Sequence, residues 1–550
     1  MSIIKFLENP ELNYSLALRK IEEQDYLFAI RLLKDAIKTS PQVKYYIELA
    51  ELYYKLSQYD ESAATYVKAF HSYSSMEIAL GLLHSHQASL GVELTPDSLI
   101  VSSGCFFKMS RNHVSNPKLD AILKKYQKIA LKTEEPRLID VKKKRILNKL
   151  KKAKSLALRG DYSQAMITLD GVEEKEYNSM VLELKTIIYF GAEDFEKVLE
   201  VGYKYNKIIK GNPTIARSVL YAIYALDGKT ISSRFKESFA SFKNEIIEHG
   251  KSEGIIGLYE LAQMVGYVEG AESLITIMEK AYPYDLATNL TIVAYYGIKG
   301  DKKETDRALK RANELFEESP GIAYYNALQS AQENPFLPKE SWYGLVDDVL
   351  TEQYAKLITL KYLKNLNEKE GFFDANVFKV AITFFDKKGL REFLSIKEIK
   401  ELPEYDKMLV WGIENPYLGI ENKTLLVELY VSKNPNTNRI FTIPTELGVS
   451  CTRVVGYKTD ANEISLSSVY NEAYSNLLFT EHELDTAALF KATQKLFPLK
   501  ENLDKSLLSA TAHILYYKEQ KYEPQTELVA SAYEVSYEEL KRVLDLYELN

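Results

Sequence analysis

The sequence predicts a mainly α chain of stacked helical hairpins, and three observations predict it. Turn-forming residues are scarce, with 24 glycines and 16 prolines in 550 residues, against the roughly 12% of average usage. Lys, Glu, Leu and Ala are plentiful while strict period-2 alternation is rare, which is helical patterning. The chain also repeats itself. Residues 13–41 align with 46–73 at an offset of 33 residues, placing Leu16 on Leu49, Ala17 on Ala50, Tyr26 on Tyr59, Ala29 on Ser62, Leu33 on Tyr66 and Ala36 on Ala69.

Within each copy the small residues at Ala17/Ala50 and Ala29/Ser62 let two antiparallel helices approach closely. Leu33/Tyr66 fill the space beside them, and Ala36/Ala69 admit the next hairpin. Pro41 ends the first unit, because proline cannot continue a helix. Forty tyrosines are many for this length; tyrosine suits helix–helix seams, where the ring packs and the hydroxyl reaches water or a carbonyl.

This segment resembles a tetratricopeptide repeat. The family's large–x2–Leu–small–x2–Tyr run stands here as Tyr46, Leu49, Ala50 and Tyr53, and its later small–x3–large pair as Ser62 and Tyr66. The first copy departs from it, with Asn13 for the large aromatic and Lys20 for the tyrosine, which fits a solvent-facing terminal repeat. Weaker copies carry Gly160-Asp161-Tyr162, Asp194-Phe195, Gly266-Tyr267 and Gly300-Asp301, so the resemblance covers 10–85 well and 146–330 loosely. It implies an α-solenoid that binds a protein or peptide partner in a concave groove, with Asn13, Lys20, Tyr46 and Tyr53 near that groove. Such stacking units are specific for fold and not for function.

The remaining segments follow in order. After N-terminal repeats over 1–90, residues 91–145 hold an irregular, Ser- and Asn-rich excursion and the start of a basic helix. Residues 118–154 carry 14 Lys/Arg and 4 Asp/Glu, net +10 in a protein of net −7, densest at Lys142, Lys143, Lys144, Arg145, Lys149, Lys151 and Lys152. Val141, Ile146, Leu150 and Ala153 recur at helical spacing, so these cations cover the remaining face. That face reads either as solvated or as a docking surface for an acidic partner, nucleic acid included. Degenerate repeats are expected over 146–330 and a helical connector over 331–408. A small mixed region over 409–475 follows, where TLLVELYVS and RIFTIP flank turn residues as a hairpin or as a helix before a turn.

The last segment, 476–550, reads as a helical module. Ser536 with Glu539 makes a capping box, and Ala530, Val535, Leu540 and Val543 stand where a helix-turn-helix or cyclin-like unit packs, with Glu534 in place of the usual turn glycine. Residues 521–550 hold 3 Lys/Arg and 7 Asp/Glu, a charge that phosphates repel.

Catalytic signatures are absent from the sequence. It contains no GxxxxGK[ST], no strand-borne GxGxxG, no HExxH and no GxSxG. His84 and His86 are two apart and point about 200° from each other on a helix, which does not favour a shared metal. Cys105 and Cys451 exclude a disulfide scaffold and a Cys-based zinc site and fit a reducing compartment. The start lacks a charged lead before an apolar run, and no stretch approaches the ~18 apolar residues of a membrane span. The expectation is a cytoplasmic, non-catalytic scaffold without cofactor or metal. The alternative is a nucleic-acid-associated regulator using the basic segment and the C-terminal motif.

Overall fold

In the computed structural model, the described residues are 9–73, 76–91, 141–170, 172, 178–249, 252–331, 338–346, 348–368, 373–435, 437–445, 448–455, 466–477, 485–501, 503–522 and 526–547. The chain forms two compact units, residues 1–132 with 309–550, and residues 133–308.

The first unit begins with α1 (Pro10–Glu22), α2 (Tyr26–Thr39), α3 (Val43–Lys55), α4 (Tyr59–Ser72) and α5 (Met76–Leu90). Consecutive helices pack antiparallel, and α3 also meets α5, so the hairpins stack. The small residues perform the role their spacing assigns: Ala17, Ala29, Ala36, Ala50, Ser62 and Ala69 are fully buried. Ser62 Oγ donates to the Ala50 carbonyl at 2.7 Å and lies 2.8 Å from Ser85 Oγ, tying α3, α4 and α5 together.

The second unit is built the same way from α6 (Val141–Leu158), α7 (Tyr162–Asp170), α8 (Asn178–Gly191), α9 (Phe195–Asn206), α10 (Pro213–Leu226), α11 (Ser233–His249), α12 (Ser252–Met264), α13 (Val268–Ala281), α14 (Leu286–Lys299) and the first half of α15 (Lys302–Leu315). An unbroken chain of rings runs through it, Phe190, Phe195, Tyr221, Tyr224, Phe235, Phe239 and Tyr267, with neighbouring centroids 5.2 to 6.4 Å apart.

One turn recurs inside hairpins of both units. The N–H of Asp25, Gln58, Asp161, Asp194, Tyr267 and Asp301 each bonds the carbonyl five residues earlier. The residue before it is left-handed: Gln24, Ser57, Gly160, Glu193, Gly266 and Gly300. This is the six-to-one bond of a Schellman ending. Where the next residue is aspartate, its carboxylate caps the following helix. Asp25, Asp161, Asp194 and Asp301 accept from Phe28, Gln164, Lys197 and Glu304 N–H at 3.2–3.4 Å. The Gly-Asp pairs in the weaker copies are therefore the hairpin turns themselves.

The first unit continues through α16 (Pro320–Ala331), α17 (Asp348–Glu368), α18 (Ala375–Phe384), α19 (Lys387–Ser395), α20 (Lys397–Lys400), α21 (Tyr405–Glu414) and α22 (Ile420–Lys433). Residues 424–432 are thus helical, with Leu425, Leu426, Val427 and Val431 buried in one apolar run. Strand β1 (Asn438–Thr445) pairs antiparallel with β2 (Gly448–Val455), Thr442 opposite Cys451. Val449 of β2 joins the apolar cluster of Tyr66, Ile78 and Leu82, so the hairpin packs against α5.

The chain ends with α23 (Leu466–Leu477), α24 (Thr486–Gln494), α25 (Lys505–Glu519), α26 (Thr526–Ala532) and α27 (Tyr537–Leu546). Nearly all of α25 is buried, Leu507 through Tyr516, which makes it the axis of this module. Among the described residues no helix is long and apolar enough to cross a membrane.

Candidate functional site

Two of the four expected groove residues lie in the core. Asn13 and Tyr53 are 2% and 1% exposed, which corrects the sequence reading. The large–x2–Leu–small–x2–Tyr pattern marks the seam between packed helices, so Leu49, Ala50 and Tyr53 face inward. Burial pushes the Tyr53 phenol well above its ordinary pKa. Lys20 sits at the hairpin turn, 2.6 Å from Glu23 and 5.8 Å over the Phe28 ring. Tyr46 is half-buried against Tyr73, centroids 6.3 Å apart. The four do not converge.

The open face of the N-terminal hairpins is carried by neighbouring positions. Glu51 and Tyr54 of α3, Tyr66 of α4 and Gly81, His84 and Ser85 of α5 line a cleft of about 370 Å³. Glu51 and His84 are exposed, and Tyr54 keeps 43% of its surface in solvent. A β-carbon at position 81 would stand 2.2 Å from Tyr66 Cζ, so this glycine is what lets the tyrosine ring form the floor. His86 is buried while His84 is exposed, the opposed placement that their spacing implies.

One acidic group, Glu51, lines this cleft, and a second lies beside it on α3. Glu48 stands one helical turn before Glu51, half-buried. Its carboxyl is held above the ordinary range by burial and then by the Glu51 charge. Tyr14 of α1 is near enough to feel both carboxylates; burial and then Glu48 raise its phenol. The adjacent cations are engaged elsewhere. Lys44 pairs with Glu11 at 2.7 Å and lies over Tyr14 and Tyr45, and Lys55 lies 5.0 Å over the Tyr26 ring.

The second helix of each N-terminal hairpin is held instead by the chain's own later residues. Glu318, at the turn before α16, is the centre. Its carboxylate takes Lys68 Nζ at 2.7 Å and Trp411 Nε1 at 2.6 Å. Its backbone N–H donates to Glu61 Oε1 at 3.1 Å, and its carbonyl accepts from Asn415 Nδ2 at 3.2 Å. Tyr417 donates its hydroxyl to the same Glu61 oxygen at 3.1 Å. Lys34 donates to the Glu314 carbonyl and to Glu317, Arg31 pairs with Glu314, and Lys379 donates to the Glu317 carbonyl.

The electrostatics follow from burial and neighbours. Burial and then the Glu318 charge push Glu61 up to about 8. Burial opposes ionisation of Glu318 too, but Lys68, Lys379 and the Trp411 donor outweigh it and hold the carboxyl at about 2. A second cluster binds α22 to α25: Glu428 takes Arg391 at 2.9 Å and Lys505 at 2.8 Å, and Lys505 also approaches Glu472.

The basic segment is described only in part. Lys142, Lys143, Lys144 and Arg145 lie in the first turn of α6, with side chains outside the described residues. Lys151 and Lys152 are exposed and Lys149 half-buried. In the C-terminal module, Glu534 adopts the left-handed φ of 54° that a turn glycine would supply. Leu540, Val543 and Leu544 are buried, so the apolar flank of α27 is core. Ser536 Oγ accepts the Glu539 N–H at 3.4 Å. The exposed face carries Glu538, Glu539, Lys541, Arg542 and Asp545. Among the described residues no group of three or more His, Cys, Asp or Glu side chains is placed to hold a metal ion.

No protein-family model and no curated protein matches this sequence. Solved structures do match. The P58(IPK) TPR domain is 12% identical, over 73% of this chain and 98% of that one, at a TM-score of 0.20. The APC/C hetero-tetramer Cut9-Hcn1 is 12% identical, over 96% and 95%, at 0.22. Naa15/Naa10 bound to HypK-THB is 14% identical, over 99% and 93%, at 0.19. Superpositions this loose transfer no function to this chain. The helical-repeat character rests on its own hairpins and their recurring turn.

Proposed function

We propose that this protein is a non-catalytic helical-repeat scaffold that binds an extended peptide segment of a protein partner in the cleft between α3 and α5. The observation that carries the reading is the division of labour on the N-terminal hairpins. One face, through Arg31, Lys34, Glu61 and Lys68, is fastened to the chain's own Glu314, Glu317, Glu318 and Tyr417. The other offers a half-open cleft walled by aromatic rings and exposed polar groups. Concave sites with apolar walls and a few polar groups are where ligands seat, and helical repeats present such surfaces on a rigid frame.

The test is a peptide array probed with the intact protein. Tyr54→Ala removes an exposed ring and leaves the core intact. It is expected to erase the bound spots, while Tyr522→Ala, a more exposed tyrosine in the turn after α25, leaves them unchanged. An array pattern identical for wild type and Tyr54→Ala would overturn the assignment of the cleft.

A further inference from the structure

We propose that the cleft recognises an arginine side chain of its peptide, the guanidinium clasped by Glu51 and Glu48 and stacked on Tyr54. This rests on the peptide-binding reading above and adds the chemistry of the bound segment.

The argument begins with charge. Glu51 lines the cleft, and Glu48 stands three residues earlier on the same helix face, where side chains are about 5–6 Å apart. Among the described residues neither carboxylate has a basic partner. Glu48 is half-buried and feels Glu51 as a like charge, so a cation placed between them relieves a repulsion already present. The nearby lysines do not serve. Lys44 is bound to Glu11, and Lys55 is turned onto Tyr26.

Shape supplies the second half. Tyr54 presents an exposed ring beside Glu51, braced edge-on by Tyr59 at 5.1 Å. The Tyr66 ring closes the floor because Gly81 has no β-carbon to lift it. A planar cation bordered by carboxylates and a ring face is the environment in which arginine outperforms lysine. The guanidinium forms two-pronged bonds to carboxylates and stacks on aromatic rings, and the ammonium does neither as well. The same surface disfavours acidic segments.

The experiment uses the intact protein and a labelled twelve-residue Gly/Ser peptide with two arginines, read by fluorescence anisotropy. Lysine-for-arginine and glutamate-for-arginine versions are compared with it. The arginine peptide is expected to bind tightest and the glutamate version not at all. Glu48→Gln with Glu51→Gln is expected to weaken arginine-peptide binding about tenfold or more, the loss of a charge-assisted pair. The equal charge change Glu538→Gln with Glu539→Gln on α27 should cost less than about twofold, as screened long-range attraction.

Equal loss in the two double variants would mean diffuse attraction to a negatively charged protein and would overturn the inference. So would equal affinity for the lysine and arginine peptides. Array peptides without arginine that lose binding with Tyr54→Ala, but not with the glutamine pair, would sink the arginine assignment and leave the peptide site standing. If Tyr54→Ala changes nothing, both fall.

Discussion

Glu61 and Lys423 are buried ionisable groups whose titrations tilt stability in opposite senses. Glu61 sits near 8 when folded, through burial and then the Glu318 charge, and near its ordinary value of 4.5 when unfolded. Between these values the native state holds the extra proton, so its contribution to stability is lost as pH rises from 4.5 towards 8. Lys423 is fully buried, donates to the Pro444 carbonyl at 2.6 Å and falls to about 7 through burial, with Glu414 opposing the fall. There the unfolded chain holds the extra proton, so stability rises with pH from 7 towards 10.5. Glu61→Gln keeps an acceptor for the Glu318 N–H and the Tyr417 hydroxyl. It should raise the melting temperature at pH 8, by on the order of 2 kcal/mol of stability, and change little at pH 5. Parallel melting curves for wild type and variant across that range would refute the assignment. Lys423→Met should flatten the rise above pH 7, which the same melts carried to pH 10 would read.

Helix–helix contact is set by single small residues. A β-carbon on Gly81 meets Tyr66, one on Gly191 meets Tyr162 at 2.6 Å, and one on Gly202 meets Val219 at 2.5 Å. Gly81→Ala should therefore cost about 1–3 kcal/mol by overpacking, and Tyr66→Leu in the same chain should recover part of it. Urea melts of Gly81→Ala, Tyr66→Leu and the double variant test this; additive losses would argue against the contact. This scale also shows what the sequence could reveal. The 33-residue offset and its small residues are local spacings, so the hairpins and their turns were legible. The open face was not, because Glu51 and Tyr54 lie one position after Ala50 and Tyr53 of the repeat pattern, and pattern alone favours those. The run 424–432 is apolar on nearly every side, which period cannot sort into helix or strand. Its helix and the 438–455 hairpin had to be seen. The Glu318 cluster was out of reach, since it joins residues 257 and 356 positions apart.

That long-range closure governs how the first unit behaves as a whole. The N-terminal hairpins share a buried charge cluster with the turn before α16 and with α21, so α2, α4, α16 and α21 should open together rather than fray from the N-terminus. Glu318 holds the arrangement through four separate bonds, two by its carboxylate and two by its backbone. Replacing Glu318 by alanine removes the counter-charge of the half-exposed Lys68 and leaves Trp411 Nε1 without its acceptor. Because water screens the stranded Lys68, the loss is mainly that of the hydrogen bonds Glu318 accepts, about 1–3 kcal/mol. Lys68→Met together with Glu318→Gln removes both charges while Gln keeps an oxygen for Trp411, and should cost clearly less. Amide hydrogen exchange on the full chain distinguishes the readings. In Glu318→Ala, protection should fall by a similar factor in α2, α4, α16 and α21, and the double variant should restore most of it. If exchange quickens only beside residue 318 while α2 and α4 keep their protection, the N-terminal hairpins are stable without the clasp, and the cluster orients them without coupling them.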